Sequence, residues 1–148
     1  MIPKSKTALF AGSFRPFTIG HESIVERTLK ICDYVIIGFG INPDKQDHNL
    51  DRYFESTCAL YKNDSRVKVE KYSGLTTDFA KSVGADFLVR GVRNVSDFEY
   101  ELNLADINLR ISGLETIFIP SLPELSYISS SMVRELESYG KDVSEFLP

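Results

Sequence analysis

The residues best suited to chemistry in this 148-residue chain lie in four places. The first is Gly12-Ser13-Phe14-Arg15-Pro16-Phe17-Thr18-Ile19-Gly20-His21. It follows the apolar run Thr7-Ala8-Leu9-Phe10-Ala11 and precedes residues 22–31, whose Ile24, Val25, Thr28 and Leu29 recur at helical spacing. A strand, a glycine-bearing loop and a helix starting near Gly20 and His21 are predicted. Free N–H groups and the positive end of the helix dipole then face the loop, which makes it an anion site with a histidine at its edge. The second place is Arg90-Gly91-Val92-Arg93, expected just past a strand over 86–89, where two guanidiniums could grip phosphate in bidentate fashion. The third is Ser129-Ser130-Ser131, which opens a short helix carrying Met132, Val133 and Leu136 and offers a second helix N-terminus to phosphate. The fourth is Lys45, placed by the turn composition of Asn42-Pro43-Asp44-Lys45 in a loop at the mouth of the sheet.

The elements needed to hold these groups can be read from the pattern around them. Residues 34–40 form a continuous apolar run, as in a parallel strand covered on both faces, whereas 67–71 alternate as a more exposed edge strand would. Apolar runs over 86–89 and 116–119 complete five strands, with helices expected over 51–62, 76–83 and from Phe98 onward between them. Such alternation predicts an α/β, Rossmann-like doubly wound fold: a mostly parallel five-stranded sheet with helices on both faces and right-handed crossovers. Ligand loops then gather at the carboxyl ends of the strands. The helix from Phe98 has one apolar stripe at Phe98, Leu102, Ala105 and Leu109 and another at Tyr100, Leu104, Ile107 and Ile111, so it is expected to pack on more than its own sheet. No Gly-x-Gly-x-x-Gly follows the first strand, which disfavours a nicotinamide or flavin dinucleotide.

Composition bounds the function classes. The length suits one domain over 1–148, and 43% hydrophobic with 26% charged residues is an ordinary globular balance. A formal charge of −4 argues against broad affinity for nucleic acid. Nothing approaches a membrane span of about 20 apolar residues, and the N-terminus lacks the apolar core of a signal peptide, so a cytoplasmic location is expected. Cys32 and Cys58 lack metal-ligand spacing and read as reduced thiols.

Three blocks carry a resemblance. Thr18-Ile19-Gly20-His21, with Gly12-Ser13-Phe14 before it, is similar to the T/H-x-G-H loop of the nucleotidyltransferase superfamily. Arg90-Gly91-Val92-Arg93 with Asp97-Phe98-Glu99-Tyr100-Glu101, and Leu125-Ser126-Tyr127-Ile128-Ser129-Ser130-Ser131, resemble segments of one of its families, the phosphopantetheine adenylyltransferases. The blocks run in order from the first strand to the last helix. Glycerol-phosphate cytidylyltransferases, nicotinamide-mononucleotide adenylyltransferases and a nucleotide-binding relative without catalysis are the alternatives.

The resemblance implies transfer of AMP from ATP to 4′-phosphopantetheine, giving dephospho-coenzyme A and pyrophosphate, with magnesium accompanying ATP and no protein metal cluster. It implies catalytic roles for His21, Lys45 and Arg93. Ser13, Phe14, His21, Gly91, Val92, Arg93 and Glu101 would meet ATP, as would Leu125, Ser126, Tyr127, Ile128, Ser129, Ser130 and Ser131. Ser13, Lys45, Thr76 and Arg90 would hold phosphopantetheine. A homohexamer is implied as well. Two positions depart from the pattern: Arg15 stands where the family usually has aspartate, beside the presumed triphosphate site, and Tyr53 stands where it has arginine unless Arg52 substitutes.

Overall fold

The computed structural model describes residues 4–148. The five apolar runs become β1 (Thr7–Gly12), β2 (Tyr34–Gly40), β3 (Val67–Tyr72), β4 (Phe87–Val92) and β5 (Thr116–Pro120), all parallel, in the order β3-β2-β1-β4-β5. Phe10 in β1 is in register with Ile37 of β2 on one side and Val89 of β4 on the other. The direction of winding reverses between β1 and β4. In an open parallel sheet the loops leaving two such strands diverge and leave a crevice at their carboxyl ends.

The connecting helices are α1 (Ile19–Thr28), α2 (Leu50–Tyr61), α3 (Thr76–Ser82), α4 (Val95–Ser112) and α5 (Ser130–Ser138). One sheet face packs Phe10, Val35, Ile37, Phe39 and Val89 against Ile24 and Val25 of α1 and Tyr53 of α2. The opposite face packs Leu9, Ala11, Ile36 and Leu88 with Ala80 of α3. Helices thus cover both faces, and the continuous apolar character of β1 and β2 follows from that double burial. Gly38 is demanded by crowding, since a Cβ there would lie 3.1 Å from side-chain atoms of each of Leu9, Tyr72 and Phe79. A third cluster of Ile128, Val133, Val143 and Phe146 seats α5 and the C-terminal segment.

Two expectations need correction. β4 runs to Val92 because Arg90, Gly91 and Val92 stay paired with Phe118, Ile119 and Pro120, so Arg90 lies inside the strand and only Arg93 lies past its end. α4 begins at Val95, capped by Asn94, whose side chain accepts the Asp97 N–H. Its apolar residues are also less covered than two buried stripes would be: Glu101 is its one buried residue, while Phe98, Tyr100, Leu102, Ile107, Leu109 and Ile111 are exposed in the single chain.

Candidate active site

The floor of the crevice is built by the turn from β1 into α1. Thr18 caps α1, its hydroxyl accepting from the His21 N–H at 3.4 Å, while the Thr18 N–H donates to His21 Nδ1 at 2.9 Å. This is a capping box in which histidine takes the place usually held by Glu or Gln. The consequence for chemistry is direct. Because Nδ1 accepts a backbone N–H, the ring proton belongs on Nε2, and the histidine becomes a neutral N–H donor. Phe14 and Phe17 pack their rings 5.0 and 5.3 Å from the imidazole and fix its plane. Burial, and then the nearby Arg90 and Arg93 charges, lower its pKa from 6.5 to about 3. Phe14 has the left-handed backbone φ of 47°, a conformation uncommon for an aromatic residue, and its buried side chain in the aromatic cluster holds it there.

Arg90 in β4 and Arg93 just past its end each carry a carboxylate. Arg90 Nε and Nη2 both donate to Glu101 at 2.7 Å, and Nη1 donates to the Ala11 carbonyl at the end of β1. Burial opposes the Arg90 charge, but the bonds and charge of Glu101 outweigh it and raise the guanidinium's pKa. Arg93 Nε donates to Asp97 at 2.9 Å, one turn into α4. The opposite wall is the N-terminus of α5. Ser129 caps it by accepting the Met132 N–H at 3.1 Å, and Ser130 Oγ donates to the Pro16 carbonyl at 2.7 Å, tying α5 to the β1–α1 loop.

These groups surround one cleft of about 340 Å³. Of the residues expected from sequence, Ser13, Phe14, His21, Arg90, Gly91, Arg93, Glu101, Leu125, Ile128, Ser129, Ser130 and Ser131 line it. Thr76 lines a small cavity of about 40 Å³ on the far side of the Arg90–Glu101 pair. Val92, Ser126, Tyr127 and Lys45 are outside these walls. Val92 pairs with Pro120, Tyr127 is exposed, and Lys45 is exposed on the β2–α2 loop with its N–H bonded to the Asn42 carbonyl. Another cavity, about 570 Å³ between α2 and the C-terminal segment, is mostly apolar with Arg52 and Glu137 as its charged groups, so convergent phosphate chemistry belongs to the first.

The cleft therefore joins a neutral imidazole donor, two oriented guanidiniums and two helix N-termini at a sheet switch point, an arrangement that can hold a polyphosphate and stabilise charge developing on it. Residues 9–136 match the cytidylyltransferase-like family model. The chain is 50% identical over 144 residues to the phosphopantetheine adenylyltransferase of Bacteroides fragilis, covering 97% of this chain and 96% of the relative. It is 51% identical over 146 residues to that of Porphyromonas gingivalis, covering 98% and 95%. The chain belongs to the phosphopantetheine adenylyltransferase family. Its fold is also similar to part of a bifunctional NMN adenylyltransferase/ADP ribose pyrophosphatase from Francisella tularensis, with a TM-score of 0.67 at 14% identity over 97% of this chain and 44% of that one.

Within that family's site, sequence reading missed Arg134 and Asp97 as cleft residues. Arg134 lies four positions after Ser130, one helical turn on, and that spacing was available as a signal. Neither of the two departing positions lines the cleft. Arg15 is absent from the walls of the cleft, and its Nη1 bonds Asp47 at 3.0 Å. Tyr53 is buried against the sheet, with the Arg52 guanidinium 5.1 Å above its ring and 3.6 Å from Glu137, so Arg52 serves the second cavity.

Proposed function

We propose that this chain transfers AMP from ATP to 4′-phosphopantetheine, forming dephospho-coenzyme A and pyrophosphate, a step of coenzyme A biosynthesis. The observation that carries the mechanism is the pinned tautomer of His21: a neutral N–H donor beside Arg90 and Arg93. The 4′-phosphate attacks the α-phosphorus of ATP in line, the bond to the bridging oxygen breaks, and the electron pair leaves with pyrophosphate. No covalent intermediate with the enzyme is required, because the acceptor phosphate is already a competent nucleophile. Positioning and electrostatic stabilisation supply the acceleration.

In this reading His21 donates from Nε2 toward the α-phosphate as charge shifts to the leaving group. Ser13, Phe14, Gly91, Arg93, Leu125 and Ile128 to Ser131 take ATP, and the α5 N-terminus faces its anionic tail. Arg90, Lys45, Thr76 and Ser13 take phosphopantetheine. Glu101 acts by holding Arg90 flat through two bonds, which is how a helix carboxylate enters the site. Magnesium bound with ATP would supply positive charge to its phosphates. Asp97 and Glu101, the carboxylates of the cleft, are already bonded to arginines, so we place the ion on the ATP phosphates and water.

We further infer a cytoplasmic homohexamer, supported by the apolar face that α4 exposes in the single chain. The decisive experiment incubates the protein with magnesium, ATP and phosphopantetheine and follows pyrophosphate and dephospho-coenzyme A, with CTP and nicotinamide mononucleotide as controls. Pyrophosphate formed only with a control substrate overturns the reading.

A further inference from the structure

Arg15 and Pro16 link α5 on one side to the loop carrying Lys45 on the other. Its backbone carbonyl accepts from Arg134 Nη1 of α5, and the next carbonyl, of Pro16, accepts from Ser130 Oγ. The β1–α1 loop is thus held from behind by the same helix that walls the cleft. From this fixed base the Arg15 side chain reaches across 32 positions of sequence to Asp47 Oδ2 at 3.0 Å. Asp47 is itself preorganised, because its Oδ1 accepts the Asn49 N–H at 2.9 Å and its carbonyl accepts the Leu50 N–H where α2 begins. The other root of the loop is fastened by the Lys45 N–H on the Asn42 carbonyl and the Asp44 N–H on the Asn42 side chain. Lys45 therefore sits between two anchors, one at the end of β2 and one made by a side chain from another loop.

We propose that the Arg15–Asp47 pair is a strap that fixes the Lys45 loop at the carboxyl edge of the sheet, the edge that also carries the cleft, making Arg15 and Asp47 positioning residues for the acceptor phosphate. The proposal rests on the assignment of Lys45 to that phosphate. Its physical content is entropic. Residues 41–49 have few other tertiary bonds, and a lysine on an untied loop must be ordered at the moment of binding. The strap carries that cost in the folded state. Phosphopantetheine benefits, whereas ATP, held by β4 and the α5 N-terminus, does not. Because both side chains of the pair are partly exposed, at 34% and 21%, the effect has the modest size of a partly solvated ion pair.

The test measures KM for both substrates, kcat and thermal stability of Arg15→Ala, Asp47→Ala and the exchanged pair Arg15→Asp/Asp47→Arg, beside Lys45→Ala. Each single variant of the pair is expected to raise the KM for phosphopantetheine about two- to fivefold. The KM for ATP, kcat and Tm stay near their original values, and the exchanged pair regains at least half of the loss. Lys45→Ala raises the same KM tenfold or more. An unchanged phosphopantetheine KM in the single variants, with a raised one in Lys45→Ala, overturns the strap and leaves the Lys45 assignment standing. Equal changes in both KM values, or a fall in Tm without rescue by the exchanged pair, show a merely structural role and also overturn it. No effect of Lys45→Ala removes the assignment beneath the proposal, and the proposal with it.

Discussion

Replacing His21 separates its two jobs, because they fall on opposite nitrogens. Nδ1 is committed to the Thr18 N–H at 2.9 Å, leaving Nε2–H as the one donor that the neutral ring can offer to substrate. Losing a single preorganised donor lowers kcat by about 10²–10³, equivalent to about 2.7–4 kcal/mol of transition-state stabilisation. Losing the Nδ1 bond removes the reciprocal half of the capping box and leaves the Thr18 N–H without its partner, costing about 1 kcal/mol of stability, which lowers Tm by roughly 2–5 °C in a chain of this size. His21→Ala should show both losses. His21→Asn, whose side-chain oxygen can still accept from Thr18, should recover Tm but not kcat, with the KM for ATP within a few-fold throughout.

A pH profile of the same proteins adds a second reading. With its pKa near 3, His21 stays uncharged in the folded enzyme from pH 8 to below 5, so it contributes no limb near 6.5. The acceptor's phosphate monoester titrates near 6, as such groups do, and that limb must persist in His21→Asn. For stability the sign is fixed by the unfolded chain, which takes up a proton on His21 below 6.5 while the folded chain does not. The stability associated with this group is complete above pH 6.5 and declines as pH falls from there toward 3. A kcat within threefold of the original in His21→Ala, or a limb near 6.5 that vanishes in His21→Asn, would refute the assignment of a neutral donor.

Arg90→Ala should lower stability in urea by about 3 kcal/mol, because it leaves the buried Glu101 carboxylate without its partner. Adding Glu101→Ala should restore part of that loss, and simple additivity of the two would argue against coupling. Gly38→Ala should cost about 1–3 kcal/mol by forcing a methyl to within 3.1 Å of three side chains, and an unchanged denaturation midpoint would show that the sheet can open there. Light scattering should give a mass well above 16.7 kDa for the unaltered chain and a lower one for Leu102→Glu/Ile107→Glu, one exposed residue from each apolar stripe of α4. A mass of 16.7 kDa before substitution removes the assembly.

Much of the architecture was legible because burial on both faces leaves β1 and β2 as unbroken apolar runs. The glycine loop and the serine cap announce helix starts by local chemistry alone. What remained hidden depends on partners distant in sequence. A strand interior is a poor place for an arginine, and Arg90 is stable there because Glu101, eleven positions on, neutralises it. No local pattern gives that pairing, so by its apolar run alone the strand ends before Arg90. For the same reason no local pattern shows that Glu101 acts through Arg90. Likewise, the reach of Arg15 to Asp47 crosses two loops whose approach only the parallel pairing of β1 and β2 creates. The role of His21 in a capping box was obscured because histidine replaces the usual Glu or Gln.

The carboxylates beside Arg90 and Arg93 also determine how substrates arrive. Three guanidiniums, of Arg90, Arg93 and Arg134, line the cleft against the carboxylates of Asp97 and Glu101, with His21 uncharged, on a chain whose formal charge is −4. Seen from a distance such a mouth is nearly neutral, so it has little long-range pull on passing polyanions. Encounter should proceed at the pace of unsteered diffusion and respond weakly to ionic strength. Attraction grows only at contact, where a phosphate of the right shape can share a guanidinium with its resident carboxylate. Inorganic polyphosphate and nucleic acid fragments gain as little from approaching as the substrates do, so discrimination among polyanions rests on fit at contact rather than on steering.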